Sequence, residues 1–153
     1  MKAPAPTLRD EQLDDLAEAL PQRVSTLLRL FRARTKTELS RTEAGVLQAL
    51  SQYPMRITEL AGQEGVTQPA ITLLVNRLAR RGWVTRETDP TDGRAVLVAV
   101  TPAGRDVLAR LRAQYRALLH EEMAMLGDED VDTLARAVEI VEHLIERLKE
   151  RRP

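Results

Sequence analysis

The stretch Gly65-Val-Thr-Gln-Pro-Ala-Ile-Thr-Leu-Leu-Val-Asn-Arg-Leu-Ala-Arg-Arg-Gly82 spells a short helix punctuated at both ends. Ile71, Leu74, Val75 and Leu78 fall on one stripe of a 3.6-residue period, so they form its buried face. Thr67 is placed to cap it, and Pro69 sits in the first turn, where a missing N–H does no harm. Gly82 supplies the C-terminal turn. Just upstream, Thr58 is placed to cap a helix from Glu59 to about Glu64, which Gly65 stops. Two short helices therefore meet across Gly65-Val66. Opposite its buried stripe the second helix presents Gln68, Pro69, Thr72, Leu73 and Asn76.

The texture then changes. Trp83-Val-Thr-Arg86 and Ala95-Val-Leu-Val-Ala-Val100 are β-branched or apolar runs around the turn-rich linker Asp89-Pro-Thr-Asp-Gly-Arg94, which predicts a β-hairpin. Two short helices followed by a hairpin make a helix-turn-helix with a wing. A helix of this kind fits the major groove of DNA with its N-terminal residues at the base edges. Gln68 and Asn76 carry the amides that pair with adenine in bidentate fashion, and Thr72 offers a hydroxyl and a methyl to thymine. Thr67 and the helix N-terminus can hold a phosphate through backbone N–H groups.

Charge agrees locally. Arg77, Arg80, Arg81, Arg86 and Arg94 stand against Glu87, Asp89 and Asp92. Gly93 should put Arg94 at a protruding tip, able to enter the narrow minor groove beside the half-site. Asp92 would repel phosphate if free, so it is expected to pair with an arginine or cap the turn. Arg80 and Arg81 fit a solvated helix face equally well. The expected DNA-contacting set is Thr67, Gln68, Pro69, Thr72, Leu73, Asn76, Arg77, Arg86, Asp92 and Arg94.

Working outward, Leu13, Leu16, Leu20, Val24, Leu27 and Phe31 mark a long helix interrupted by Pro21, where a kink or a break is expected. Ser40 and Glu43 have capping-box spacing before Val46, Leu47 and Leu50, and Tyr53-Pro54 ends that helix. Thr101-Pro102 opens a long helix with the stripe Val107, Leu108, Leu111, Tyr115, Leu118, Leu119, Met123 and Leu126. Gly127-Asp128 breaks it. In the last helix Leu134, Val138, Val141, Ile145 and Leu148 keep heptad spacing. These outer stripes are too long to be satisfied by a central unit of about 50 residues, so a second copy of the chain is the expected partner, although a monomeric bundle would show the same stripes. The chain therefore reads as mainly α (α+β), a winged helix-turn-helix with long terminal dimerisation helices. Residues 1–39 and 102–153 are the dimerising regions, and 40–101 the DNA-binding domain. Residues 1–8 and 149–153 are expected to fray.

Composition excludes much else. The 153 residues are 43% hydrophobic and 30% charged, with 23 basic and 23 acidic side chains, so no global polyanion-binding signal exists. Only Lys2, Lys36 and Lys149 are lysines; the arginine excess reads as a codon bias ahead of a binding signal and carries no function. The absence of cysteine removes disulfides, thiolate metal sites and thiol sensing. No apolar run is of membrane-spanning length, and Met1–Asp10 lacks a signal-peptide core, so a cytoplasmic location is expected. His120-Glu-Glu-Met-Ala124 is not the zinc helix H-E-x-x-H, and His143 is remote. Asp128, Asp130, Asp132 and Glu139 mimic a calcium loop, but Thr133 stands where glycine must turn the chain; acidic residues at a helix start answer the macrodipole. Neither phosphate-binding glycine motif occurs, and Ser25, Ser40 and Ser51 lie in no nucleophile elbow, so neither an enzyme nor a cofactor is expected.

The wing run Asp89-Pro-Thr-Asp92-Gly-Arg94 and the exit Val100-Thr101-Pro-Ala-Gly104 resemble the D-x-R-D-x-R and L-T-x-x-G signatures of the MarR (multiple antibiotic resistance regulator) family. Leu60-Ala61, Thr67–Thr72, Arg77-Leu78 and Gly82-Trp-Val are similar to the helix-turn-helix of that family. Two positions depart from it: Thr91 replaces a wing arginine, and Leu73 replaces a residue often arginine or polar. The resemblance implies a homodimer on a pseudo-palindromic operator, usually a repressor released by a small phenolic or other anionic effector. It implies an effector pocket between the helical region and the winged domain; Phe31, Tyr53 and Tyr115 are the candidate contacts, each better explained by core packing. The competing expectation is a winged-helix dimer that binds a protein or ligand and no DNA.

Overall fold

The computed structural model describes residues 7–151, apart from the side chain of Arg94. The chain is mostly helical, with one small sheet. Helix α1 (Leu8–Arg34) and α2 (Arg41–Leu50) lead into strand β1 (Met55–Arg56), then α3 (Ile57–Glu64) and α4 (Gln68–Arg80). Strands β2 (Val84–Asp89) and β3 (Asp92–Val100) form the hairpin, and α5 (Pro102–Met123) and α6 (Asp128–Glu150) complete the chain. Contacts divide it into two compact units, one ending at Gln114 and the other beginning at Tyr115.

The first unit has a dry centre. Val46, Leu47, Leu60, Ile71, Val75, Leu78 and Val98 are fully buried, so α2, α3, α4 and β3 meet there. The predicted stripe of α4 is the buried one, and each fully enclosed aliphatic side chain contributes about 1.5–3 kcal/mol. Caps fix the helix ends. Ser40 Oγ accepts from Glu43 N while Glu43 Oε2 accepts from Ser40 N at 2.8 Å, closing the expected capping box. At the end of α4, Gly82 takes φ 71°, Trp83 N–H donates to Leu78 O and Gly82 N–H to Ala79 O. That left-handed turn pays off two orphan carbonyls and swings the chain into β2.

Four expectations change. Of the two outcomes expected at Pro21 the break does not occur: α1 is one helix through it, since the fixed φ of the ring is helical and its missing N–H removes a single bond to Ala17. Fraying does not begin at residue 8: Thr7 Oγ1 accepts from Asp10 N and Asp10 Oδ2 accepts from Thr7 N, a second capping box. At the other end Lys149 and Glu150 belong to α6, while residues 1–6 and 152–153 lie outside those described. Helix α3 is capped two residues earlier than Thr58, by Glu59 Oε2 accepting from Arg56 N at 2.7 Å. The sheet has a third strand, in the order β1-β3-β2, with Met55 opposite Val98.

The hairpin is also longer than its apolar runs. Its arms reach into the linker, with Asp89 opposite Asp92 and an irregularity between Thr88 and Asp89. At its base, Thr101 N–H donates to Trp83 O, Thr101 Oγ1–H donates to Gly82 O, and Gly104 N–H donates to Thr101 Oγ1. One threonine thus joins the end of α4, the start of β2 and the first turn of α5.

Candidate nucleic-acid interface

Burial of Ile71, Leu74, Val75 and Leu78 forces the opposite face of α4 outward. Gln68, Pro69 and Leu73 are exposed there, with Thr72 and Asn76 half-buried among them. Leu73, a large apolar side chain, keeps 68% of its surface in solvent. Gln68, Pro69, Thr72 and Leu73 line a shallow open notch. The Thr72 hydroxyl donates back to the Gln68 carbonyl at 2.9 Å, so its one proton is already used within the helix. Thr67 is the N-cap residue with extended backbone, and its side chain makes no cap bond, which leaves the first N–H groups of α4 open to a partner.

Two arginines are held by partners that the sequence does not announce. Arg86, on β2, donates to Asn76 Oδ1 on α4. This wing-to-helix bond takes one of the two lone pairs of the amide oxygen of Asn76. Its NH2 remains to donate. Arg77 is 55% exposed and has its Nε 3.8 Å from Oε1 of Glu43, a buried carboxylate whose other oxygen closes the α2 capping box. Glu43 reads in the sequence only as a cap, and nothing in the spacing places it beneath α4. Arg81 stacks on the Trp83 ring at 4.7 Å and donates to Glu38 O, a structural role, while Arg80 is exposed.

The wing rests on a polar clasp. Asp89 is buried and accepts from Thr91 Oγ1 at 2.6 Å, Thr91 N at 2.8 Å and Arg56 Nε at 2.7 Å. The Thr91 hydroxyl and N–H, followed by the Arg56 guanidinium, hold the Asp89 carboxyl down at about 2 against burial. Thr91, which stands in place of a wing arginine, closes the turn. Asp92 is exposed at the start of β3, and Arg94 follows two residues on; its side chain, the expected minor-groove probe, lies outside the described residues. The three aromatic candidates for an effector differ in setting. Phe31 is buried near the end of α1, Tyr53 is 60% exposed before β1, and Tyr115 is half-buried in α5.

Comparison with known proteins gives this geometry a context. The MarR family model matches residues 39–96, the span from the cap of α2 to the middle of β3. An HTH-type transcriptional regulator of Mycobacterium leprae is 32% identical over 133 residues, which cover 86% of this chain and 93% of the relative. The chain belongs to the MarR family. Among solved structures, the transcriptional regulator BldR of Sulfolobus solfataricus superposes with a TM-score of 0.70 at 28% identity, covering 93% of this chain and 99% of its own. Apo MarR of E. coli does so with a TM-score of 0.66 at 26% identity, covering 84% of this chain and 96% of its own. This MarR-family chain is thus a winged-helix, DNA-binding transcriptional regulator and not an enzyme. Among the described residues no helix is long and apolar enough to cross a membrane.

Proposed function

We propose that this regulator acts in the cytoplasm as a homodimeric repressor that grips a pseudo-palindromic operator and lets go when a small phenolic or anionic effector binds. The observation that carries the DNA-reading part is the outward face of α4, with Gln68, Pro69, Thr72, Leu73 and Asn76 set opposite a fully buried stripe. Each subunit lays α4 in a major groove, with half-site centres about one helical turn apart. Thr67 and Arg77 hold phosphates, Arg86 steadies Asn76, and Arg94 reaches the neighbouring minor groove. Asp92, at the head of β3, shapes the strand that carries Arg94. Residues 40–101 form the reading domain in this proposal, and the helices on either side of it hold the two copies together.

Pairing is supported by apolar surface: Leu13, Leu16, Leu20, Val24 and Leu27 on α1 and Leu134, Val138, Ile145 and Leu148 on α6 all remain exposed in the single chain. The effector part rests on family kinship, with Phe31, Tyr53 and Tyr115 as the contacts to test. Binding-site selection from random duplexes, followed by shift assays across salt, tests the DNA reading. A palindromic consensus and a steep salt slope are expected, and Arg94→Ala should weaken binding by about 1–3 kcal/mol per subunit without unfolding the chain. Uniform binding to all duplexes would overturn it. For the effector, a panel of aromatic carboxylates and phenols should yield a compound that both raises Tm and releases the operator.

A further inference from the structure

We infer that the notch on α4 is a reader of the thymine C5-methyl group, centred on Leu73; the inference rests on the placement of α4 in the major groove. Leu73 is a leucine 68% exposed in the middle of a helix whose other large aliphatic groups, save Val75, Ile71, Leu74 and Leu78 on the buried stripe, are absent. Leu73 lies off that buried stripe, on the outward face of the helix. Here it sits with Pro69 one turn back and Thr72 beside it, and the three line one open concavity with Gln68 at its edge.

The chemistry of that lining is selective. The Pro69 ring and the Leu73 side chain carry no polar atom, and the Thr72 hydroxyl has spent its proton on the Gln68 carbonyl. What remains is an apolar dimple with an amide on its rim. In the major groove one base alone presents a methyl group, and that is thymine. A guanine or unmethylated cytosine edge set against Pro69 and Leu73 would lose polar hydration there, whereas a methyl group has none to lose. The Gln68 amide beside it is long enough to bond a neighbouring base edge, so methyl contact and amide contact address adjacent positions. Leucine here does the work of discrimination by shape and dryness, which an arginine at the same position could not do.

Uracil substitution isolates the methyl, because it removes that group and changes no base-pairing atom. On an operator obtained by selection, each thymine is replaced in turn by deoxyuridine and the affinity of the full-length dimer is measured. One thymine per half-site should be sensitive, with about a 4-fold loss for one half-site and about 16-fold for both, the worth of one buried methyl each. In Leu73→Ala that sensitivity should vanish, while Leu73→Met, which keeps an apolar side chain, should retain it. Both variants alter an exposed side chain, and circular dichroism checks that they fold. No uracil-sensitive thymine, or equal sensitivity in Leu73→Ala, would overturn the methyl reading while leaving the operator specificity intact. Failure of selection to return any preferred sequence would instead overturn the groove placement itself, and the inference with it.

Discussion

At position 104 a β-carbon would lie 2.1 Å from the Trp83 carbonyl oxygen and 2.9 Å from Val100 Cγ2. The nearest obstacle is backbone, and Trp83 O is already committed to Thr101 N–H, so neither side can step aside. Gly104→Ala should therefore destabilise the fold by about 3 kcal/mol, the upper end of ordinary overpacking, read as a lower urea midpoint at unchanged slope. This gives the Thr-Pro-Ala-Gly exit a physical cause: the glycine is the only residue that lets α5 begin against the end of α4. The Arg86–Asn76 bond makes a different demand. If Arg86 acts on DNA partly by holding Asn76, then Arg86→Ala, Asn76→Ala and the double variant should be non-additive, with a coupling of about 0.5–3 kcal/mol in operator affinity. Strict additivity would show the two side chains working apart.

Among the elements, the wing is where the sequence was hardest to read. Helix α2 was legible from its stripe, its Ser40–Glu43 capping box and Tyr53-Pro54 beyond it, and α4 from its stripe, Pro69 in the first turn and Gly82 at its end; Ile71, Leu74, Val75 and Leu78 are buried as expected. Strand β1 was not, since two residues carry no period and Met55-Arg56 is extended only because Val98 and Leu97 pair with it. Its arrival brings Arg56 to Asp89 across 33 positions of sequence, a proximity no local pattern encodes. The outward face of α4 was legible from its stripe, but the Asn76 and Arg77 partners came from β2 and α2 and were invisible. The Asp89 clasp leads to a pH prediction. Because the folded carboxyl sits near 2 and the unfolded one near 3.8, its contribution is complete above the unfolded value and fades as pH falls through the folded one. Asp89→Asn should flatten that acid limb, and Thr91→Val, which deletes the strongest donor, should move the Asp89 titration upward in a carboxyl-carbon NMR series. An unmoved titration in Thr91→Val would assign the depression to the remaining donors, the backbone N–H of residue 91 and the Arg56 guanidinium.

At the scale of the whole molecule, the terminal helices carry apolar faces that stay exposed in the single chain and that the proposed pairing would cover. None of the described residues of α6 is buried, yet its 23 residues include Leu134, Val138, Ile145 and Leu148 at 40–68% exposure. A long amphipathic helix with no covered face is unstable in water, so its folding and its association should be one event. The chain should sediment as a dimer at micromolar concentration, with a Tm that rises with concentration. Val138→Glu, which buries a charge in any seam built on that stripe, should shift the population to monomer. The consequence for DNA is larger than the interface itself. In the proposed dimer two joined α4 helices would engage one duplex, the second contact being made at an effective concentration in the millimolar range, so separating them should cost about 10²–10⁴-fold in operator affinity. A half-site duplex should show almost none of that loss, because a single α4 reads it in either form. If Val138→Glu remained dimeric, or if full-site and half-site affinities fell together, the pairing surface would have to lie elsewhere than on the heptad face of α6.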